Sequence, residues 1–147
     1  MESNIIDIIT ENLLRVFPLI HRVLLRIDFN PVNYNISRPH FIVMNVLDEM
    51  GAVPVSTVGK KLIIAKPQMT RLIDRLIDLE IVERQPDLND RRVINVKLTD
   101  KGINILEQCR ELIRDNVRSK LSCLEDEDLE ELLVALKKLK NIGLKLE

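Results

Sequence analysis

Residues 55–102 read VSTVGKKLIIAKPQMTRLIDRLIDLEIVERQPDLNDRRVINVKLTDKG. Ser56 to Leu62 and Lys66 to Leu79 have helical spacing, and in the second Met69, Leu72, Ile73, Leu76 and Leu79 make one apolar face. Only Ile63, Ile64 and Ala65 separate the two. Ile81 to Gln85 and Arg92 to Leu98 then read as strands, with Pro86 to Arg91 as the connecting loop. In the second strand the period of two predicts Ile94, Val96 and Leu98 on one face and Asn95 and Lys97 on the other. A short helix, a tight turn and a second helix form a helix-turn-helix. A hairpin placed directly after it makes a wing.

The flanks are helical. Ile5, Ile9, Leu13, Val16, Ile20, Val23 and Ile27 line one face of a long first helix, which Pro18 should kink or divide because it cannot bond the Leu14 carbonyl. Ile6, Leu14, Phe17, Leu24 and Leu25 widen that face beyond the needs of a lone surface helix, which points to a partner chain. Asp28 to Ser37 is an Asn-rich loop containing Pro31. Ser37 caps a helix over RPHFIVMNVLDEM, ended by Gly51, and AVPV is extended. Thr99 caps a further helix carrying Ile103, Leu106, Cys109, Ile113 and Val117, and a last one carries Leu129 to Ile142. The fold class is therefore mainly α with a small β-hairpin wing.

Bulk properties agree with one domain or two small lobes. The chain has 147 residues, 46% of them hydrophobic and 31% charged, with no Trp, so the core must be built from Leu, Ile and Val. The net charge of −1 conceals an asymmetry. Residues 1–54 hold 4 basic and 6 acidic side chains, residues 55–101 hold 10 and 7, and residues 121–147 hold 4 and 7. The middle is basic and the ends are acidic. No apolar stretch reaches the roughly 18 residues that span a membrane, and MESNIIDIITE lacks a signal-peptide pattern, so a cytoplasmic location is expected. Cys109 and Cys123 are too few for a disulfide scaffold or zinc site, and both are expected to be small buried residues.

The second helix of the pair presents Lys66, Gln68, Thr70, Arg71, Asp74 and Arg75 opposite its apolar face. Gln pairs with adenine, Arg with guanine, and Thr meets a thymine methyl in a major groove about 12 Å wide. These types, with Pro67 in the first turn, gather at the helix start, the end of a recognition helix that meets bases. Lys60 and Lys61 stand nearby for phosphates. A solvated amphipathic helix would show similar charges; the hairpin, with Arg91 and Arg92 at its tip, adds a second cationic element at a fixed distance along the chain.

KPQMTRLIDRL, VERQPDLNDRR and VKLTDKG, in that order and at that spacing, resemble the core of the MarR-type (multiple antibiotic resistance regulator) winged-helix transcription factors. The resemblance covers about a third of the chain, and the flanking helices agree in number and order. It implies a homodimer in which residues 1–36 and 100–147 form a helical dimerisation region and residues 37–99 a winged helix-turn-helix lobe. It further implies a repressor that binds a pseudo-palindromic operator in double-stranded DNA and responds to a small phenolic or lipophilic effector bound between lobes. Asn89, Asp90, Arg91 and Arg92 would form the wing contact. Asp90-Arg91-Arg92 matches the family's Asp-x-Arg pattern, which makes Arg92 the minor-groove arginine, Asp90 the carboxylate that orients it, and Arg91 a phosphate or groove-edge contact. Tyr34 and His40 would line the effector pocket. A narrow A·T-rich minor groove has an enhanced negative potential that favours an inserted Arg.

Three residues depart from the family pattern. Glu80 stands where a Gly often ends the recognition helix, which leaves room for a different helix ending; Ala65 replaces a Ser-type cap; Ile63 replaces a frequent Gly of the turn. No catalytic group is expected, because His21 and His40 have no Ser, Cys or Asp constellation around them and no Gly-rich phosphate loop exists. No metal site or cofactor is expected either. The competing reading is a winged helix used only for protein contact, which the acidic LEDEDLEE segment would support; negative charge at a helix start explains that segment as well. Redox sensing through Cys109 or Cys123 is disfavoured, since relatives that sense oxidants carry their cysteine in the N-terminal helical region.

Overall fold

The computed structural model describes residues 2–147, without the side chains of Glu2, Ser3 and Asn30. Met1, the head of the expected 1–36 segment, lies outside the described residues. The order is α1 (Glu2–Ile20), a π-turn (His21–Leu25), a 3-10 turn (Asn30–Val32), α2 (Arg38–Met50), β1 (Val53–Pro54), α3 (Val55–Leu62), α4 (Lys66–Asp78), β2 (Val82–Pro86), β3 (Ile94–Leu98), α5 (Asp100–Leu121) and α6 (Asp126–Gly143). This is the mainly helical architecture with a small β wing that the sequence predicts.

The chain forms two compact units, one holding the chain up to Arg26 with Arg114–Glu147, the other Ile27–Ile113. The second unit reaches beyond residues 37–99 on both sides. Phe29, Val32 and Ile36 before α2, and Ile105, Leu106 and Cys109 on α5, are buried in its core with Val43, Met44, Leu47, Val58, Met69 and Ile73. Burial of these flanking apolar side chains removes them from water and makes their segments part of the lobe.

The sheet is antiparallel in the order β1-β3-β2, with Val53 opposite Val96, Arg84 opposite Val96, and Pro86 opposite Ile94. Burial along β3 does not follow the alternation of its faces. Ile94 is exposed, whereas Asn95 and Val96 are both buried. Ile94 stands at the hairpin end of the sheet opposite Pro86 and stays exposed, and Asn95, on the other face, is covered and donates to Asp87 of the wing loop.

Two approaches of the backbone fix the lobe. An added Cβ at Gly102 would stand 2.1 Å from the Ile81 carbonyl oxygen, so the start of α5 seats against the backbone just before β2 only because that residue is glycine. Thr99 Oγ1 accepts from the Gly102 N–H (3.0 Å) and donates to the Glu80 carbonyl (2.6 Å), joining the α5 cap to the end of the α4 turn. Gly59 on α3 lets Met69 of α4 come close; a Cβ there would be 3.1 Å from Met69 Cγ.

In the first unit, α1 is not divided at Pro18, and the backbone opens into the π-turn three residues later. Asn116 Nδ2 donates to the Leu24 carbonyl (2.9 Å), satisfying an acceptor in that turn. Among the described residues neither α1 nor α6 buries a side chain. Ile5, Ile9 and Phe17 on α1 and Leu133, Leu136 and Ile142 on α6 are each about half exposed or more. Among the described residues no helix is long and apolar enough to cross a membrane.

Candidate nucleic-acid interface

The helix pair is set by its turn. α3 ends at Ile63, which holds the left-handed conformation (φ 55°), and its N–H and that of Ile64 close back on Lys60 and Gly59. Ala65 then starts α4 with no side-chain cap, as its methyl group dictates, and Pro67 occupies the first turn, where its missing N–H is no loss. The expected ending of α4 is revised. Glu80 keeps the left-handed conformation (φ 59°) despite its side chain, with its N–H on the Ile77 carbonyl and that of Ile81 on Leu76.

Met69, Leu72, Ile73 and Leu76 of α4 are buried, which leaves Lys66, Pro67, Gln68, Thr70, Arg71 and Arg75 exposed, all six on one helix. Thr70 Oγ1 donates to the Lys66 carbonyl (3.0 Å), so its hydroxyl proton is used within the helix. Asp74, in the same exposed set, pairs with Arg84 of β2 at 3.1 Å and ties helix to wing; the sequence reading had given Arg84 no task. Of the two lysines of α3, Lys60 is exposed, and Lys61 pairs with Glu49 at 3.0 Å.

The wing tip is ordered by hydrogen bonds. Arg92 Nε and Nη2 donate to the two carboxylate oxygens of Asp90 at 3.2 and 3.3 Å, and the Arg92 N–H donates to Oδ1 at 3.0 Å. The guanidinium is thus held side-on, the geometry in which its planar fork matches a carboxylate. The Arg92 side chain remains 91% exposed. Those bonds hold Asp90 below the usual carboxylate range. Asn89 and Arg91 are exposed beside them. Asp87 was not singled out from the sequence. The signal was present as an acidic residue opening an Asx-type turn in DLND.

Tyr34 and His40 have partners of their own. Lys101 Nζ lies 5.2 Å from the centroid of the Tyr34 ring. His40 Nδ1 accepts from the Ser37 N–H (3.2 Å) and lies 2.7 Å from Ser37 Oγ, closing the start of α2. Burial, and then the positive charge of Arg75, push His40 below its ordinary pKa. A cavity of about 690 Å³ lies elsewhere in the lobe, between α3 and α4, lined by Gly59, Ile63, Ala65, Met69, Thr70 and Arg84 among others.

Cys109 is buried, and burial pushes its thiol up to about 11. Cys123 differs from expectation. It is exposed after α5, its Sγ 3.1 Å from the Lys120 carbonyl, because the chain turns there before α6 without covering it. Among the described residues no group of three or more His, Cys, Asp or Glu side chains could hold a metal ion.

The chain matches the MarR family over residues 36–94, the span from the start of α2 to the start of β3. It is 27% identical to the HTH-type transcriptional regulator MhqR of Bacillus subtilis (strain 168), with 92% of this chain and 94% of that protein covered. A crystal structure of a MarR mutant from Escherichia coli complexed with operator DNA is similar at 30% identity and a TM-score of 0.62, covering 87% of this chain and 95% of that one. A crystal structure of a MepR-like protein complexed with pseudoligands is similar at 32% identity and a TM-score of 0.55, covering 93% and 94%. Helix-turn-helix, wing and terminal helices thus agree with these relatives over nearly the whole chain, and the chain belongs to the MarR family of winged-helix transcriptional regulators.

Proposed function

We propose that the chain is a ligand-responsive repressor that binds a pseudo-palindromic operator as a homodimer. The first three turns of α4 enter a major groove, where Gln68, Thr70, Arg71 and Arg75 face base edges, while Lys66 and Lys60 meet phosphates. Lys61 reaches phosphate by exchanging its Glu49 partner. The wing enters the adjacent minor groove with Arg92 foremost and with Asn89 and Arg91 beside it. The helices up to residue 36 and from residue 100 join two copies. Tyr34 and His40 contribute to the site of a phenolic or lipophilic effector. The protein performs no catalysis of its own and works in the cytoplasm.

The observation that carries this reading is the state of Arg92. Its side chain is 91% exposed, yet two bonds to Asp90 fix it. Such a surface pair contributes at most about 1 kcal/mol to stability, so a role in the fold does not account for it. A guanidinium aligned before binding loses less entropy on entering a groove.

Titration with duplex DNA at several salt concentrations tests the reading. Affinity is expected to fall steeply, with a log–log slope of about −0.9 per phosphate neutralised. Absence of binding at every salt concentration would overturn it in favour of a winged helix used for protein contact.

A further inference from the structure

The wing tip carries a second carboxylate. Asp87 Oδ1 accepts from the backbone N–H of Asn89 (2.8 Å) and of Asp90 (3.1 Å), and its Oδ2 accepts from Asn95 Nδ2 (3.0 Å). Asn95 sits on β3 and is 8% exposed. A hydrogen-bonded chain therefore runs from a buried amide in the sheet, through Asp87 and the backbone of Asp90, to the Asp90 carboxylate and the exposed Arg92 guanidinium. The loop is closed around it by Asp87 N–H on the Val93 carbonyl (2.9 Å) and Val93 N–H on the Asp90 carbonyl (3.0 Å).

The pair Asp90–Arg92 aligns the guanidinium with its own loop, two residues away, and with nothing else. Beyond the chain itself and the Val93–Asp90 backbone bond, the side chain of Asp87 ties that loop to Asn95 of the sheet. Asp87 also places a negative charge among groups that must approach phosphates, an unfavourable position unless it does something in return. The bond from the Asn89 N–H, and then that from Asn95, hold it below the usual carboxylate range, so it stays ionised at neutral pH.

We propose that Asp87, anchored by Asn95, is a positioning residue for DNA binding: it fixes the wing-tip backbone so that Asp90 presents Arg92 at a set height and direction above the lobe. The proposal rests on the reading of Arg92 as a DNA contact. It treats the wing as a preorganised element whose ordering cost is met on folding and not on binding.

A double-mutant cycle on the full-length protein tests it, with an operator duplex recovered from a random pool as the probe. Asp87→Ala and Arg92→Ala are each expected to weaken binding about tenfold. The double variant should bind within about twofold of Arg92→Ala alone, because Asp87 acts only through that arginine. Asp87→Asn keeps an acceptor for the two backbone N–H groups, and the unpaired buried Oδ1 of Asn95 can accept from the new amide after a flip. It should restore binding to within about threefold of wild type. Asn95→Ala leaves the loop's own bonds intact and should lose binding only where Arg92 is present. Wild-type affinity in Asp87→Ala overturns the proposal. So do losses that multiply in the double variant, which would mark a general structural role. Wild-type affinity in Arg92→Ala would remove the reading of the wing itself, and this inference with it.

Discussion

Ile63 holds φ 55° with its side chain 93% exposed, so a β-branched residue adopts a conformation that its Cβ opposes and receives no burial in return. Ile63→Gly is therefore expected to raise the unfolding free energy by about 1 kcal/mol in chemical denaturation, net of the larger entropy that glycine brings to the unfolded chain. His40 supplies a pH-dependent term. Its folded pKa lies below its ordinary value of 6.5, so the unfolded chain binds the proton more readily. The contribution is complete above about pH 6.5 and is lost as pH falls through the depressed folded value, because burial and then the charge of Arg75 oppose the imidazolium, and a protonated Nδ1 no longer accepts from the Ser37 N–H. The melting-temperature gap between wild type and His40→Gln should narrow from pH 7.5 to pH 5. At this scale the sequence was legible where a residue type has one use, as for Pro67 in a first helical turn or Asp90 beside Arg92. It was not legible for Glu80 or Ile63, where the backbone bonds that close each helix end accompany a conformation that local preference disfavours.

Elements followed the sequence where periodicity was long. The five apolar positions of Lys66 to Leu79 specified a helix that the structure bounds at Asp78, and four of the five are buried. The β3 strand was harder, since a period-two argument assumes one core along its whole face. Here the core ends before the hairpin does, so Ile94 is exposed, while Asn95 on the opposite face is buried against a polar partner, Asp87, that alternation cannot foresee. The seating of α5 against Ile81, just before β2, was equally hidden, because a glycine in a helical pattern does not announce the backbone next to it. Gly102→Ala would place a methyl group 2.1 Å from the Ile81 carbonyl oxygen. It should lower the unfolding free energy by about 3 kcal/mol, as read by thermal or urea denaturation, since backbone and not a flexible side chain must move.

For the whole molecule, the exposed apolar side chains of α1 and α6 exceed what scattered surface residues explain. A second copy covering them would remove that surface from water, and light scattering is expected to give a dimer at micromolar concentration. A species of 17.0 kDa would contradict this. That surplus was legible in the sequence, as was the basic middle of the chain. The extent of the second compact unit was not, because burial of Phe29 or Cys109 depends on contacts between distant segments. The central claim is that two cationic elements of one lobe, the exposed face of α4 and the tip of the wing, read a DNA sequence. Selection from a random duplex pool, followed by titration of the recovered duplex against a scrambled one at physiological salt, tests it most directly. The account predicts a pseudo-palindrome with half-sites about one helical turn apart, bound at least about a thousandfold tighter than the scrambled duplex. Equal affinity for the two duplexes would contradict it.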